Sequence, residues 1–266
     1  MKIGIVSRPD LPEAVDLTRK VINWLSGSEV LLAPEIAREL GKDGAPVSDM
    51  GADALVTIGG DGTVLKVQHE APGVPILGIN MGGTGFLADV SPDAAEEAIR
   101  SLLEGKLELQ ERVKLAVKIS GRSLPDALNE AVVRAASPGR ALDFEVMVDN
   151  EIAERAKGDG VIVSTPTGST AYNLAAGGPV LDPRLEAFSV APLCTHRPRA
   201  IPLVVPMSST IRVRLLRPDR RGQVAIDGHF TEEVSPEDEL LFYRSEKPAK
   251  FFKWGNKFYK KVREKL

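Results

Sequence analysis

Residues 54–65 read Ala-Leu-Val-Thr-Ile-Gly-Gly-Asp-Gly-Thr-Val-Leu. Ala54 to Ile58 is a compact β-rich run, Gly59 to Thr63 is a glycine turn, and residues 63–70 suit a helix. The pattern recurs on both sides. Upstream, Lys2 to Ser7 reads as a strand, and residues 11–25 carry Leu11, Ala14, Val15, Val21, Ile22 and Leu25 at helical spacing before Gly27. Glu29 to Ala33 reads as a strand and 35–40 as a short helix. Downstream, Pro75 to Ile79 is a buried strand. Ser91-Pro92-Asp93 then starts a helix that runs to about Leu103 and stops at Gly105, with serine as cap and proline at the first position. Strands alternating with helices predict an α/β domain with a doubly wound parallel sheet over residues 1–106.

The texture changes after Gly105. Val113, Leu115, Val117 and Ile119 alternate with polar residues, as do Phe144, Val146 and Val148, and Ile211, Val213 and Leu215. Period-two alternation marks half-buried strands. Asp149-Asn150 suits a hairpin turn. Residues 107–244 are therefore expected to form a mostly β domain with one short helix near 170–176. The segment 245–266 sets Phe251, Phe252, Trp254, Phe258, Tyr259 and Val262 among many lysines. It is expected to be helical and to return to the first domain.

The 266 residues carry 34 Lys and Arg against 37 Asp and Glu, a net charge of −3. That balance argues against a nucleic-acid scaffold while leaving room for a local phosphate pocket. The single cysteine, Cys194, excludes an internal disulfide and a cysteine-rich zinc site, and reads as a buried small hydrophobe in a reducing compartment. His69, His196 and His229 have no second ligand at metal spacing, so no protein metal site is expected. No signal-like start and no run of roughly 20 apolar residues is present, which points to a cytoplasmic protein without membrane contact.

Four segments carry chemistry. In the first, glycines allow close backbone approach to a phosphate, and amides at the following helix start attract anions. Asp61 in its middle suits a base, a metal ligand or a partner for a hydroxyl. The second is Asn80-Met81-Gly82-Gly83-Thr84-Gly85-Phe86, a glycine loop after the next strand, which would lie beside the first at the carboxyl edge of the sheet. The third is Asn129-Glu130 within the apolar run Ala127 to Val133. Adjacent strand residues face opposite sides, so at least one of the two should be buried or in a cleft, where the pair would suit a ribose and a base edge. The fourth runs from Gly158-Asp159-Gly160 through Ser164-Thr165-Pro166-Thr167-Gly168-Ser169-Thr170-Ala171-Tyr172-Asn173 to Gly177-Gly178. Its hydroxyls can cap a helix or serve a ligand, and Tyr172 can stack on a planar base.

These four segments, in this order and over most of the chain, resemble the NAD kinase family. The first loop alone would fit phosphofructokinases and lipid kinases equally well. The resemblance implies phosphoryl transfer from ATP or polyphosphate to the 2′-hydroxyl of the adenosine ribose of NAD, giving NADP. It also implies Mg²⁺ carried with the nucleotide, and a homodimer or homotetramer. Carried across by position, Asp61 is the catalytic residue that aligns the ribose hydroxyl. Gly60, Gly62 and Thr63 line the phosphates, and Asn129 and Glu130 hold the adenosine end. Asp159 reaches the nicotinamide end, Thr170, Ala171 and Tyr172 complete the pocket, and Asp227 matches a late Asp-Gly element near it. The chain departs from the family at Ala175, a frequent serine, and at Ile201, a frequent arginine for which Arg197 or Arg199 is the nearby substitute. It departs again at His229, the usual glutamine. The competing readings are a lipid or sugar kinase with the same first loop, and a non-catalytic NAD sensor; Asp159 and Tyr172 argue against the former and Asp61 against the latter.

Overall fold

The structure is a computed structural model that describes residues 1–83, 85–137, 139–196, 200–255 and 258–266. Thr84, Arg197 and Arg199, named above, lie outside the described residues. The chain forms two compact units, Met1–Arg112 with Ala249–Leu266, and Val113–Pro248.

The first unit runs β1 (Lys2–Ser7), α1 (Pro12–Trp24), β2 (Glu29–Leu32), α2 (Pro34–Glu39), β3 (Ala54–Gly59), α3 (Asp61–Glu70), β4 (Ile76–Asn80), α4 (Ala95–Leu103) and β5 (Leu109–Arg112). Its six-stranded sheet has the order β2-β1-β3-β4, then the C-terminal strand Ala249–Phe252, then β5. The first four strands are parallel and the C-terminal strand is parallel to β4, while β5 runs antiparallel at the edge. Strand β3 is buried along its whole length, which explains its unbroken apolar reading. Helix α4 buries Ala95, Ala98, Ile99 and Leu102, one stripe at helical spacing.

Three expectations are corrected here. The C-terminal segment is not helical throughout: Phe251 and Phe252 lie in a strand, and only Phe258–Lys265 is a helix. A four-residue strand shows no usable period, and its partners β4 and β5 lie more than a hundred residues upstream. Helix α3 starts at Asp61 rather than 63, because Gly60 takes the cap position with extended backbone. Ser91 does precede a helical turn, but its side chain makes no capping hydrogen bond.

The second unit runs β6 (Leu115–Ile119), β7 (Arg122–Ser123), β8 (Glu130–Ala135), β9 (Leu142–Val148), β10 (Glu151–Gly158), β11 (Gly160–Ser164), α5 (Tyr172–Ala175), β12 (Ala187–Leu193), β13 (Leu203–Pro206), β14 (Ile211–Leu215), β15 (Gly222–Ile226), β16 (Phe230–Val234) and β17 (Leu240–Arg244). Two six-stranded antiparallel sheets result, β10-β9-β14-β17-β6-β7 and β13-β12-β11-β8-β15-β16. Inward residues of both, among them Phe144, Phe242, Val133, Val161 and Phe188, share one core. Asp149 and Asn150 take φ of 50° and 80°, the left-handed pair that closes a tight hairpin between β9 and β10. Cys194 is exposed, not buried, because it sits just past the end of β12 with φ of 45°. Among the described residues no helix is long and apolar enough to cross a membrane.

Candidate functional site

In the first unit the two glycine loops leave the carboxyl ends of the adjacent parallel strands β3 and β4. They are stitched together: the Met81 amide donates to the Gly59 carbonyl at 2.8 Å. The half-buried Asp61 carboxylate draws in the far end of the second loop. It accepts the amide of Phe86 at 2.6 Å on Oδ2, and those of Leu87 at 2.9 Å and Ala88 at 3.2 Å on Oδ1. The carboxylate thus has a structural role besides the base, metal-ligand or hydroxyl-partner roles expected of it. The approach requires Gly85, where a Cβ would lie 2.6 Å from Asp61 Oδ1. Nothing lies within 4 Å of a Cβ placed on Gly60 or Gly62, so this helix start faces open space. Asp61 and Gly62 are the first two residues of α3, whose amides have no acceptor within the helix. Thr63 closes the turn against Gly59, where a Cβ would lie 2.4 Å from its Oγ1.

The second unit repeats the device. Asp227, in the tight turn between β15 and β16 with φ of 48°, is buried. It accepts the amides of Leu128 at 2.7 Å, Asn129 at 2.8 Å and Glu130 at 3.0 Å. The hydroxyl-rich segment is tied to the same stretch. The Thr165 amide donates to the Asn129 carbonyl at 2.9 Å and its hydroxyl to the Leu128 carbonyl at 2.6 Å. Gly168 packs so closely that a Cβ would lie 2.2 Å from the Asn129 carbonyl oxygen, so no other residue fits. Several of the hydroxyls are spent internally: Ser164 donates to Asn129 and Thr165 carbonyls, and Ser169 bridges Pro166 and Leu181. Thr170 and Ala171 remain half-buried and Tyr172 exposed, so they are the members of this segment open to a ligand.

Asn129 and Glu130 are both buried. Burial, with the Asp227 carboxylate as a lesser cause, pushes the Glu130 carboxyl from an ordinary 4.5 up to about 8, and its Oε2 has no hydrogen-bond partner. An orphaned buried oxygen is costly, which suits a group that a ligand hydroxyl completes. The folded protein holds this proton more tightly than the unfolded chain, so stability should fall as pH rises from about 4.5 to about 8 and level off above. Glu130→Gln should flatten that fall, and thermal melts of both proteins across this range check it.

Asp159 stands apart. It is exposed at the start of β11, whereas Ser164 at the other end pairs with Glu130. Five strand residues put about 17 Å between the two levels. Of the departures from the family pattern, Ala175 and His229 are exposed, and so is Ile201. Sequence reasoning missed the amides of 86–88 and 128–130, and the close approaches at Gly85 and Gly168; only the glycines left a trace.

Among the described residues there is no cluster of three His, Cys, Asp or Glu side chains placed to hold a metal. The donors fit a divalent cation that arrives on a nucleotide, since the one acid in the glycine loop already has three amides on its oxygens.

An open helix start beside a pinned carboxylate, at the switch edge of a parallel sheet, defines a phosphate-handling α/β enzyme with an appended β unit. Comparison with known proteins narrows the class. Residues 3–107 match the ATP-NAD kinase N-terminal domain and residues 128–254 the ATP-NAD kinase C-terminal domain. The chain is 42% identical to the NAD kinase of Methanothermobacter thermautotrophicus, over 100% of this chain and 96% of the relative. It is 39% identical to the NAD kinase of Thermococcus kodakarensis, over 100% and 99%. The crystal structure of an NAD kinase from Archaeoglobus fulgidus in complex with ATP superposes with a TM-score of 0.83 at 30% identity, covering 99% of each chain. Yeast NADH kinase complexed with NADH has the same fold, with a TM-score of 0.89 at 22% identity over 98% of this chain and 86% of that one. The chain belongs to the NAD kinase family and is an enzyme of that kind.

Proposed function

We propose that the chain transfers the terminal phosphoryl group of ATP, or of polyphosphate, to the 2′-hydroxyl of the adenosine ribose of NAD. The ribose oxygen bonds to phosphorus as the bridging P–O bond to the leaving phosphate breaks, giving NADP. The pinned Asp61 carries this reading. A carboxylate offers about four lone-pair sites, and three amides fill three of them, leaving one on Oδ2. That remaining site aligns the hydroxyl and takes its proton, while the first amides of α3, with Gly60, Gly62 and Thr63, receive the phosphates. Mg²⁺ carried on the nucleotide supplies charge neutralisation.

Asn129 and Glu130 hold the adenosine end, with Asp227 supporting their backbone. Thr170, Ala171 and Tyr172 complete the dinucleotide pocket, and Asp159 serves the nicotinamide end. The length of strand β11 suits the two ends of one dinucleotide. Asp159→Asn and Tyr172→Ala should each raise the KM for NAD more than they lower kcat, the former by weakening a charge-assisted bond worth about 1.5–3 kcal/mol. Steady-state kinetics at varied NAD check this. The chain acts as a homodimer or homotetramer, in a reducing compartment such as the cytoplasm that keeps the exposed Cys194 thiol reduced. Sedimentation should show a species well above the 28.6 kDa monomer.

The decisive experiment incubates the pure protein with Mg²⁺, NAD and either ATP or polyphosphate. NADP should appear with at least one donor. No NADP with either donor, or phosphorylation of a lipid or sugar in its place, rejects the reading.

A further inference from the structure

The loop that grips Asp61 is itself gripped from behind. In the first unit, Lys261 on the C-terminal helix (Phe258–Lys265) donates to the Phe86 carbonyl at 3.0 Å and pairs with the Asp89 carboxylate. Both ends of that ion pair are largely shielded, with Lys261 14% and Asp89 27% exposed. The Phe86 ring meets Phe258 of the same helix, centroids 6.3 Å apart. The helix therefore holds residues 86–89 by one ammonium and one ring.

The bond has a particular geometry. The Phe86 carbonyl and the Leu87 N–H belong to one peptide group. Lys261 sits on the oxygen of that group, and Asp61 accepts its hydrogen at 2.9 Å. A positive charge on the oxygen polarises the amide and strengthens its N–H as a donor, so the two contacts reinforce each other. The neighbouring Phe86 amide also donates to Asp61, at 2.6 Å, so Phe86 is held by Lys261 on one side and by Asp61 on the other. The mechanism above does not use Lys261, and nothing else in the first unit supplies a cation to this loop among the described contacts.

We propose that Lys261 is a positioning residue for Asp61: through the Phe86–Leu87 peptide group it fixes the carboxylate for hydroxyl alignment, so the C-terminal helix is part of the phosphoryl-transfer apparatus. This rests on the role given to Asp61 above. A carboxylate displaced by a fraction of an ångström loses its alignment with the hydroxyl but not the dinucleotide pocket, which other residues build.

The test compares Lys261→Met, Lys261→Arg and wild type by steady-state kinetics and by hydrogen exchange at the amides of 86–88. Lys261→Met should lower kcat about ten- to a hundredfold, since small misplacement of a reacting group has effects of this size. The KM for NAD should move less than about twofold, because ground-state binding is untouched. Exchange should rise at 86–88 with little change in strands β1, β3 and β4, and Lys261→Arg should recover most of both effects. Unchanged kcat, or unchanged exchange at 86–88, overturns the proposal, and so does an equal loss in the arginine variant. If Lys261→Met does not fold, Asp89→Asn removes the partner that seats the ammonium on the Phe86 carbonyl, and unchanged kcat and exchange there overturn the proposal equally. Wild-type protein that makes no NADP rejects the kinase reading alone, and the exchange arm still decides whether Lys261 holds the loop.

Discussion

Asp61→Asn is expected to lower turnover by about 10²- to 10⁴-fold, the usual contribution of a positioned acid–base group. Part of that loss is alignment rather than proton removal, because phosphoryl transfer passes through a loose transition state. The structure adds a second effect. Asparagine keeps one oxygen for Leu87 and Ala88, but its amide nitrogen then faces the Phe86 amide, donor against donor. One lost charge-assisted bond costs about 1.5–3 kcal/mol, which lowers the melting temperature by a few degrees in a protein of this size. NAD affinity should persist. Turnover, NAD titration and a melt on one preparation check this, and near-normal turnover would reject the role of Asp61 in the chemistry.

Asp227→Ala should be the most destabilising single change in the second unit. It strips the acceptor from three consecutive buried amides, each costing about 1–3 kcal/mol when left unpaired. It also puts alanine at a φ of 48°, a conformation aspartate and asparagine tolerate better. We expect a loss of about 3–5 kcal/mol, or roughly 10 °C in Tm, after local relaxation. Asp227→Asn retains the left-handed turn and one oxygen, so its loss should be well under half as large. The alanine variant removes the like charge from beside Glu130 but not its burial. The Glu130 carboxyl should therefore stay above 4.5, since burial is the larger cause. Denaturant unfolding of the three proteins separates these effects, and equal stability of wild type and Asp227→Ala would show that water replaces the carboxylate.

What could be read in advance follows the physics of each element. Strands β1 and β3 were legible because parallel strands buried on both faces are unbroken apolar runs, and α1 because its apolar stripe keeps helical spacing. The C-terminal strand was not, because four residues carry no period and its identity depends on pairing with distant neighbours. The same division holds for the candidate site. Gly59 to Thr63 and Asn129-Glu130 announced themselves by unusual content. The bonds from Asp61 to residues 25 to 27 positions ahead, and from Asp227 to residues nearly a hundred behind, are tertiary facts with no local signature. The hydroxyl-rich segment shows the opposite error. Ser164, Thr165 and Ser169 look like ligand donors, yet they bond backbone of their own segment or of Leu128 and Asn129, because carbonyls and amides buried by such tight packing must be satisfied within the protein.

The strand Ala249–Phe252 sits between β4 and β5, and β5 has no other neighbour in its sheet. A ribosome releases β1 to β5 first and then the whole of residues 113–248 before that strand exists. Throughout that interval β4 presents an open edge and β5 is an orphan, the kind of exposed surface that invites mispairing during vectorial synthesis. Completing the first sheet thus requires the insertion of a late strand into an early sheet, and the helix that steadies the 86–89 loop follows that strand in the sequence. A chain extended only as far as residue 248 should therefore lack both that strand and the grip on the 86–89 loop.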